Sequence, residues 1–177
     1  MYKFESYGPF KVPIEDGRVA VIKLNEFWKL EVDGKHRGLK DAVGCYIFAT
    51  RNGGSSRPWY VGKTEKASFK NEAFQPSKRE NYQDALKKDK KGISELYLIA
   101  KITPADKFRR ASRSKIGVRS IRKLEELLIG TCLPRNPDLL NKSLAKNLKK
   151  IQVPGYMNDA REKRSEGAKN LAKLLAT

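Results

Sequence analysis

The stretch VGCYIFATRNGGSSRPWYVGK, residues Val43 to Lys63, constrains this chain more than any other. Two runs rich in β-branched and aromatic residues flank a connector that holds Asn-Gly and Gly-Gly, dipeptides that accept the positive φ angles of tight hairpin turns. The runs are therefore predicted to pair antiparallel. A second reading takes the ending Val-Gly-Lys-Thr as a phosphate-cradling loop. That loop needs a glycine five positions before the Gly of Gly-Lys-Thr, and the chain has Arg57 there, followed by Pro58. It also has to leave a buried parallel strand, not the return arm of a hairpin, so a nucleotide-hydrolysing loop is excluded.

Around the hairpin the pattern is mixed. Residues 1–40 alternate short apolar runs such as RVAVIKL with polar breaks and read as a β-rich lead-in. Beyond Lys63, TEKASFKNEAF has helical spacing and stops before Pro76, since the residue ahead of a proline avoids helix. Ser77 and Glu80 form a capping-box pattern that opens a second helix, closed by Gly92. ISELYLIAKIT alternates as a strand ended by Pro104, and IRKLEELLIGTCL puts Ile121, Leu124 and Leu128 on one helical face. The fold class expected is α/β of the α+β kind: a small central antiparallel sheet flanked by helices. Residues 41–150 form its core and 151–177 a basic helical tail.

The chain has 177 residues, enough for one domain with a real core. Its 38 Lys and Arg against 20 Asp and Glu leave a net charge of +18, a field that attracts polyanions, nucleic acid first. No apolar run approaches the roughly 20 residues that span a bilayer. The opening MYKFESYGPF carries neither a basic leader with an apolar stretch nor a small-residue cleavage site, so a cytoplasmic protein without a membrane partner is expected. Cys45 and Cys132 have neither CxxC spacing nor a nearby histidine pair and read as buried thiols, not zinc ligands. His36, in DGKHRG, reads as a solvent-exposed turn residue.

Gly44-Cys45-Tyr46 and Tyr60-Val61-Gly62 resemble the two defining signatures of the GIY-YIG nuclease family, at a separation within the family's usual range. Lys63 follows the second signature, as in the repair and restriction branches. Glu125 opens an E-x-x-L-I pattern like the one that carries the family's metal-binding Glu on a helix after the third strand. Asn141, in NPDLLNK, falls where an Asn closes the family core. One departure is clear: the family's Arg and, four residues later, His or Tyr are replaced by Lys70 and Phe74. Phe74 cannot relay a proton and is read as core. Lys78 and Tyr82, also four apart and on one helical face, are the substitute pair, with Lys70 held in reserve as a phosphate contact.

The resemblance implies a metal-dependent endonuclease acting on DNA. Phosphodiester hydrolysis needs a deprotonated water, neutralisation of charge growing on the phosphate and help for the leaving oxygen. Tyr46 is assigned as general base, with Lys63 supplying a field that favours the phenolate, and Tyr60 as orienting group. Glu125 sits at the edge of the apolar helical face while Glu126 points away. One carboxylate completed by waters suits Mg²⁺ or Mn²⁺; the plainer alternative pairs Glu125 with Arg122 on the helix surface. Arg51, Arg57, Arg109, Arg110 and Arg113 are expected to grip the nucleic-acid backbone without reading bases. The rival expectation is a non-catalytic nucleic-acid binder on a degenerate nuclease scaffold.

Overall fold

In the computed structural model the described residues are 2–111, 118–141, 165, 166 and 170. The hairpin forms as β4, Gly44–Asn52, and β5, Ser55–Thr64, with Asn52 opposite Ser55. Gly53 in the turn has a φ of +61°, the sign that primed hairpin turns require. The sheet also takes in β1, Lys3–Lys11, and β6, Ile93–Ile102. Its order is β1-β6-β4-β5 with every pair antiparallel, confirming the α+β class. A small β2–β3 ribbon, Ile14–Glu15 with Arg18–Val19, follows β1.

β5 is an edge strand, which is why it tolerates Pro58, a residue with no N–H to donate. The register shifts by one residue at Trp59, between the pairs Phe48–Tyr60 and Ala49–Pro58. This bulge puts Tyr60 and Gly62 on the same face as Phe48 and Tyr46.

The two faces bury different material. One carries Tyr46, Phe48, Tyr60, Leu96 and Leu98 and packs on Phe27, Trp28 and Phe74, and on Tyr82 of α3, Pro76–Lys88. The other carries Val43 and Cys45 and packs on Ile121 of α4, Arg119–Cys132, with Leu124 and Leu128 partly buried against it. A sheet covered on both faces leaves no exposed apolar layer, as an antiparallel sheet between helices should.

Three local expectations change. From Val21 the lead-in is helical: a 3-10 turn, α1 at Leu24–Glu26, then π-helical turns Phe27–Asp33 that bury Phe27, Trp28 and Val32. The capping box at Ser77 and Glu80 does not form. α3 starts two residues earlier with Pro76 as its first helical residue, because a proline there gives up a donor the helix leaves unpaired anyway. His36 is half-buried, its ring 4.7 Å from that of Tyr7, because the turn folds back onto β1. The short helix α2, Phe69–Glu72, is capped by Ser68. Cys45 and Cys132 are free and buried.

The chain divides into two units, Met1–Leu140 and Asn141–Thr177. Asn141, expected to close the core, thus belongs to the second unit, where only it, Ser165, Glu166 and Asn170 are described. Most of the basic tail expected at 151–177 lies outside the described residues, as does Arg113. Among the described residues no helix is long and apolar enough to cross a membrane.

The two motif glycines have separate physical reasons. A Cβ on Gly44 would collide with the Ile99 carbonyl of β6, so Gly44 permits close backbone approach. A Cβ on Gly62 would sit 2.6 Å from Cε2 of Tyr46, whose ring lies across β5. Gly62→Ala should lower stability by about 1–3 kcal/mol, the usual cost of overpacking. In a Tyr46→Ala background the same change should cost far less, and urea denaturation of the four proteins measures the coupling. An equal cost in both backgrounds would show that Gly62 answers to the backbone and not to the ring.

Candidate active site

The hairpin sets the tyrosines. Tyr46 is opposite Gly62 and Phe48 opposite Tyr60, so Tyr46 and Tyr60 lie on one face with ring centroids 6.2 Å apart. Tyr60 Oη accepts a hydrogen bond from Lys78 Nζ at 3.1 Å, and the ammonium also lies 5.6 Å from the Tyr60 ring. Lys78 reaches it because α3 runs across this face; Tyr82, one turn on, stacks on Phe48 at 4.1 Å and meets Tyr60 edge-on at 6.1 Å. Lys70 on α2 is exposed and forms no hydrogen bond or ion pair among the described residues. Of the two cations proposed for the missing Arg, the fold brings Lys78 to the tyrosines. Phe74 is core, against Phe27, Trp28 and Tyr82.

Two hydroxyls in this cluster have no partner. Tyr46 Oη and Tyr82 Oη are both buried without a hydrogen bond, and with Arg79 Nε they are the buried side-chain atoms so placed among the described residues. A buried unpaired polar group costs about 1–3 kcal/mol, so two beside each other call for a reason. Both phenols are held protonated. Burial raises the pKa of Tyr46 first, and Tyr82, Tyr60, Glu72 and Glu125 raise it further. Burial likewise raises Tyr82 well above the ordinary range, with Tyr60 and Glu72 adding to it.

Lys63 lies on the other side of the sheet from the tyrosines. Its register partner is Cys45, not Tyr46, and with a side-chain period of two it emerges on the opposite face of the sheet. There it forms an ion pair with Glu125. Its charge is paired there, so it is not the cation in contact with the tyrosines. The cation beside the tyrosines is Lys78.

α4 presents Glu125 as its periodicity predicts: the carboxylate is 17% exposed, and Glu126 is open to solvent. The plainer pairing with Arg122 is not used, because Arg122 makes a forked contact with the Glu65 carboxylate at 2.9 and 3.2 Å. Among the described residues no group of three or more His, Cys, Asp or Glu gathers as a metal cage. The donor set is thus one carboxylate with a lysine on it. A single carboxylate would suit a Mg²⁺-like ion that keeps most of its water shell and not a closed protein site, and in this structure Lys63 occupies that carboxylate.

The arginines divide by partner. Arg51 is tied by Nε to the buried Glu95 at 2.6 Å, a carboxylate that also accepts from Ser56 and Tyr97, so its charge is satisfied internally. Arg57 donates to Asn136 at 2.8 Å and lies over the Trp59 ring at 4.6 Å, holding the chain that follows α4. Both arginines, expected to grip a nucleic-acid backbone, thus also brace the fold while remaining exposed. Arg109 and Arg110 are exposed.

Sequence reasoning missed Asn136. Fully buried, it donates to the Pro58 carbonyl at 2.7 Å, and Leu140 N donates to the Trp59 carbonyl at 2.8 Å, so this segment covers the open edge of β5. The Asn-Pro dipeptide was a turn signal that pointed there. Glu72, whose charge acts on both buried phenols, carried no sequence signal at all.

Compared with protein-family models, curated proteins and solved structures, the chain gives no match in any of the three.

The buried phenols set an alkaline limit. An unfolded tyrosine titrates near 10, whereas Tyr46 and Tyr82 stay protonated above that in the fold, and Tyr7 is pushed up to about 12 by burial and its bond to Glu5. Above pH 10 the unfolded chain binds fewer protons than the native one, so stability contributed by these groups is full below pH 10 and falls as pH rises. Replacing both Tyr46 and Tyr82 with Phe should flatten that decline while leaving stability near pH 7 unchanged or higher. A decline as steep as in the wild type, measured by denaturant midpoint against pH, would refute the assignment.

Proposed function

We propose that the protein is a metal-dependent endonuclease of the GIY-YIG kind that hydrolyses phosphodiester bonds in DNA. One observation carries the reading: Tyr60 holding the Lys78 ammonium next to two buried, unpartnered phenol hydroxyls, with Glu125 acting on Tyr46 from α4. These groups come from β4, β5, α3 and α4, in the order that the motif resemblance implies. A hydrophobic core alone gives no reason to leave two hydroxyls unpaired.

In this reading Lys78 meets the scissile phosphate, where a cation matters most as negative charge builds in the transition state. Tyr60, whose hydroxyl accepts a hydrogen bond from Lys78, keeps that ammonium on the catalytic face. Tyr46 Oη, with lone pairs that no protein donor occupies, would accept the proton of the attacking water as phenolate, after its own proton has passed to bulk water. Burial opposes that ionisation most, and Tyr82, Tyr60, Glu72 and Glu125 add to it, so it serves as base only once water or a cation reaches the phenol oxygen. Glu125 would hold Mg²⁺ or Mn²⁺ with waters in the other positions, and the ion would supply a Lewis acid for the phosphoryl oxygens.

The rival, a nucleic-acid binder on a degenerate scaffold, is favoured by Lys63 on Glu125 and by the burial that holds Tyr46 protonated. Single-turnover cleavage of DNA with Mg²⁺ or a chelator separates them. Glu125→Gln should abolish cleavage and spare binding, with Glu126→Gln mild. Tyr46→Phe should cost a factor on the order of 10² to 10⁴. Lys78→Ala should slow the chemical step, while Lys70→Ala weakens binding only in a salt-dependent way. DNA binding without cleavage under every condition would establish the rival.

A further inference from the structure

An open groove of about 850 Å³ lies at the end of the sheet where β6 turns back on itself. Four exposed cations line it, Arg37, Lys107, Arg109 and Arg110, and none of them forms an ion pair among the described residues. Its two acids, Glu5 and Asp106, are outnumbered by these cations and share one further cation, Lys3. Lys3 Nζ contacts Asp106 at 2.7 Å and Glu5 at 3.1 Å, and Glu5 also accepts from the Tyr7 hydroxyl at 2.7 Å. The local charge is therefore an unbalanced positive one, a condition that a merely solvated surface of mixed sign does not produce.

The groove is also held in shape. Arg109 N donates to the Lys101 carbonyl at 2.8 Å, Val43 N donates to the Arg109 carbonyl at 2.9 Å, and Lys101 N donates to the Val43 carbonyl at 2.9 Å. This ring of backbone bonds joins the segment to β6 and to the entry of β4. Bridges from Phe108 to Ile102 and from Arg110 to Ala42 extend it. Under the charges, Phe108 packs edge-on against Tyr7 at 5.5 Å, and Tyr7 against His36 at 4.7 Å, so these rings are used as a floor and not as a stacking platform for bases. Cations on a fixed backbone over an apolar floor suit a chain of phosphates more than a base edge.

We infer that this groove is a second nucleic-acid site, gripping substrate phosphates away from the tyrosine cluster without reading sequence. The inference rests on the nuclease reading for the choice of DNA as the polyanion. Arg37 belongs to it although no sequence signal marked that residue. The site has its own place in the fold: its groups stand on the turn before β4 and on the chain after β6, while Lys78 stands on α3.

The test is DNA binding in the presence of a chelator, with labelled duplex and single-stranded oligonucleotides, titrated over a range of salt. The variant Arg37→Ala/Arg109→Ala/Arg110→Ala is compared with Lys23→Ala/Lys35→Ala/Lys87→Ala. The second removes the same net charge from lysines that are each paired with an acid: Glu15, Glu31 and Asp84. The groove variant should reduce the slope of log affinity against log salt by roughly 2 to 3 on duplex, about 0.9 for each lost phosphate contact. The control should leave the slope near that of the wild type. Equal slopes in all three proteins, or an equal reduction in both variants, would overturn the inference. Wild-type cleavage with Mg²⁺ is measured on the same substrates. A groove effect without cleavage removes the nuclease reading and keeps the site, and cleavage with equal slopes removes the site and keeps the nuclease.

Discussion

The Tyr46 ring lies on the bare backbone of Gly62, across the β4–β5 pair, and the rest of the site is arranged around that contact. A glycine in a strand leaves a gap, and an aromatic ring from the neighbouring strand fills it at little conformational cost. Filling it sends the Tyr46 hydroxyl into the interior, where burial holds the proton on. It also leaves Tyr60, two residues along, on the same face, where Lys78 of α3 can reach its oxygen. The signature Gly and the signature Tyr are in this sense one structural unit drawn from two strands.

The sheet then acts as a partition. Groups at even steps from Tyr46 belong to the α3 face, and groups at odd steps, such as Cys45 and Lys63, to the α4 face. Adjacent residues of one motif therefore serve different environments. Lys63 follows Gly62 in the chain yet pairs with Glu125 across the other layer, while the ammonium that touches a tyrosine comes from a helix eighteen residues downstream of Tyr60. The same separation explains why one face carries unpaired hydroxyls and the other a closed ion pair.

Among the described residues the basic side chains have two destinations. Some are internal mortar: Arg51 on Glu95, Arg57 on Asn136 and Arg122 on Glu65 fix loops and strand ends to the sheet. Others, including Lys70, Arg109 and Arg110, face solvent. A basic composition is thus legible at once, but which arginine braces the fold depends on whether an acid 44 to 57 residues away in the chain is brought within reach.

Period and turn chemistry are local, so the sequence by itself determined the hairpin, the α+β class, the apolar face of α4 with Glu125 at its edge, and the burial of Phe74 and both cysteines. Each of these depends on residues within a few positions of one another, where alternation of two or 3.6 dictates which side chains share a face. Tertiary structure decided the rest. It set the bulge at Trp59 that aligns the tyrosines, the choice of Lys78, the engagement of Lys63 with Glu125 in place of Tyr46, and the closure of the β5 edge by Asn136. It also turned the lead-in helical after Val21, so that Phe27 and Trp28 could enter the core. The physical reason is that an ion pair or an orphaned hydroxyl is a property of two surfaces meeting, and no spacing along a single strand or helix contains the second surface.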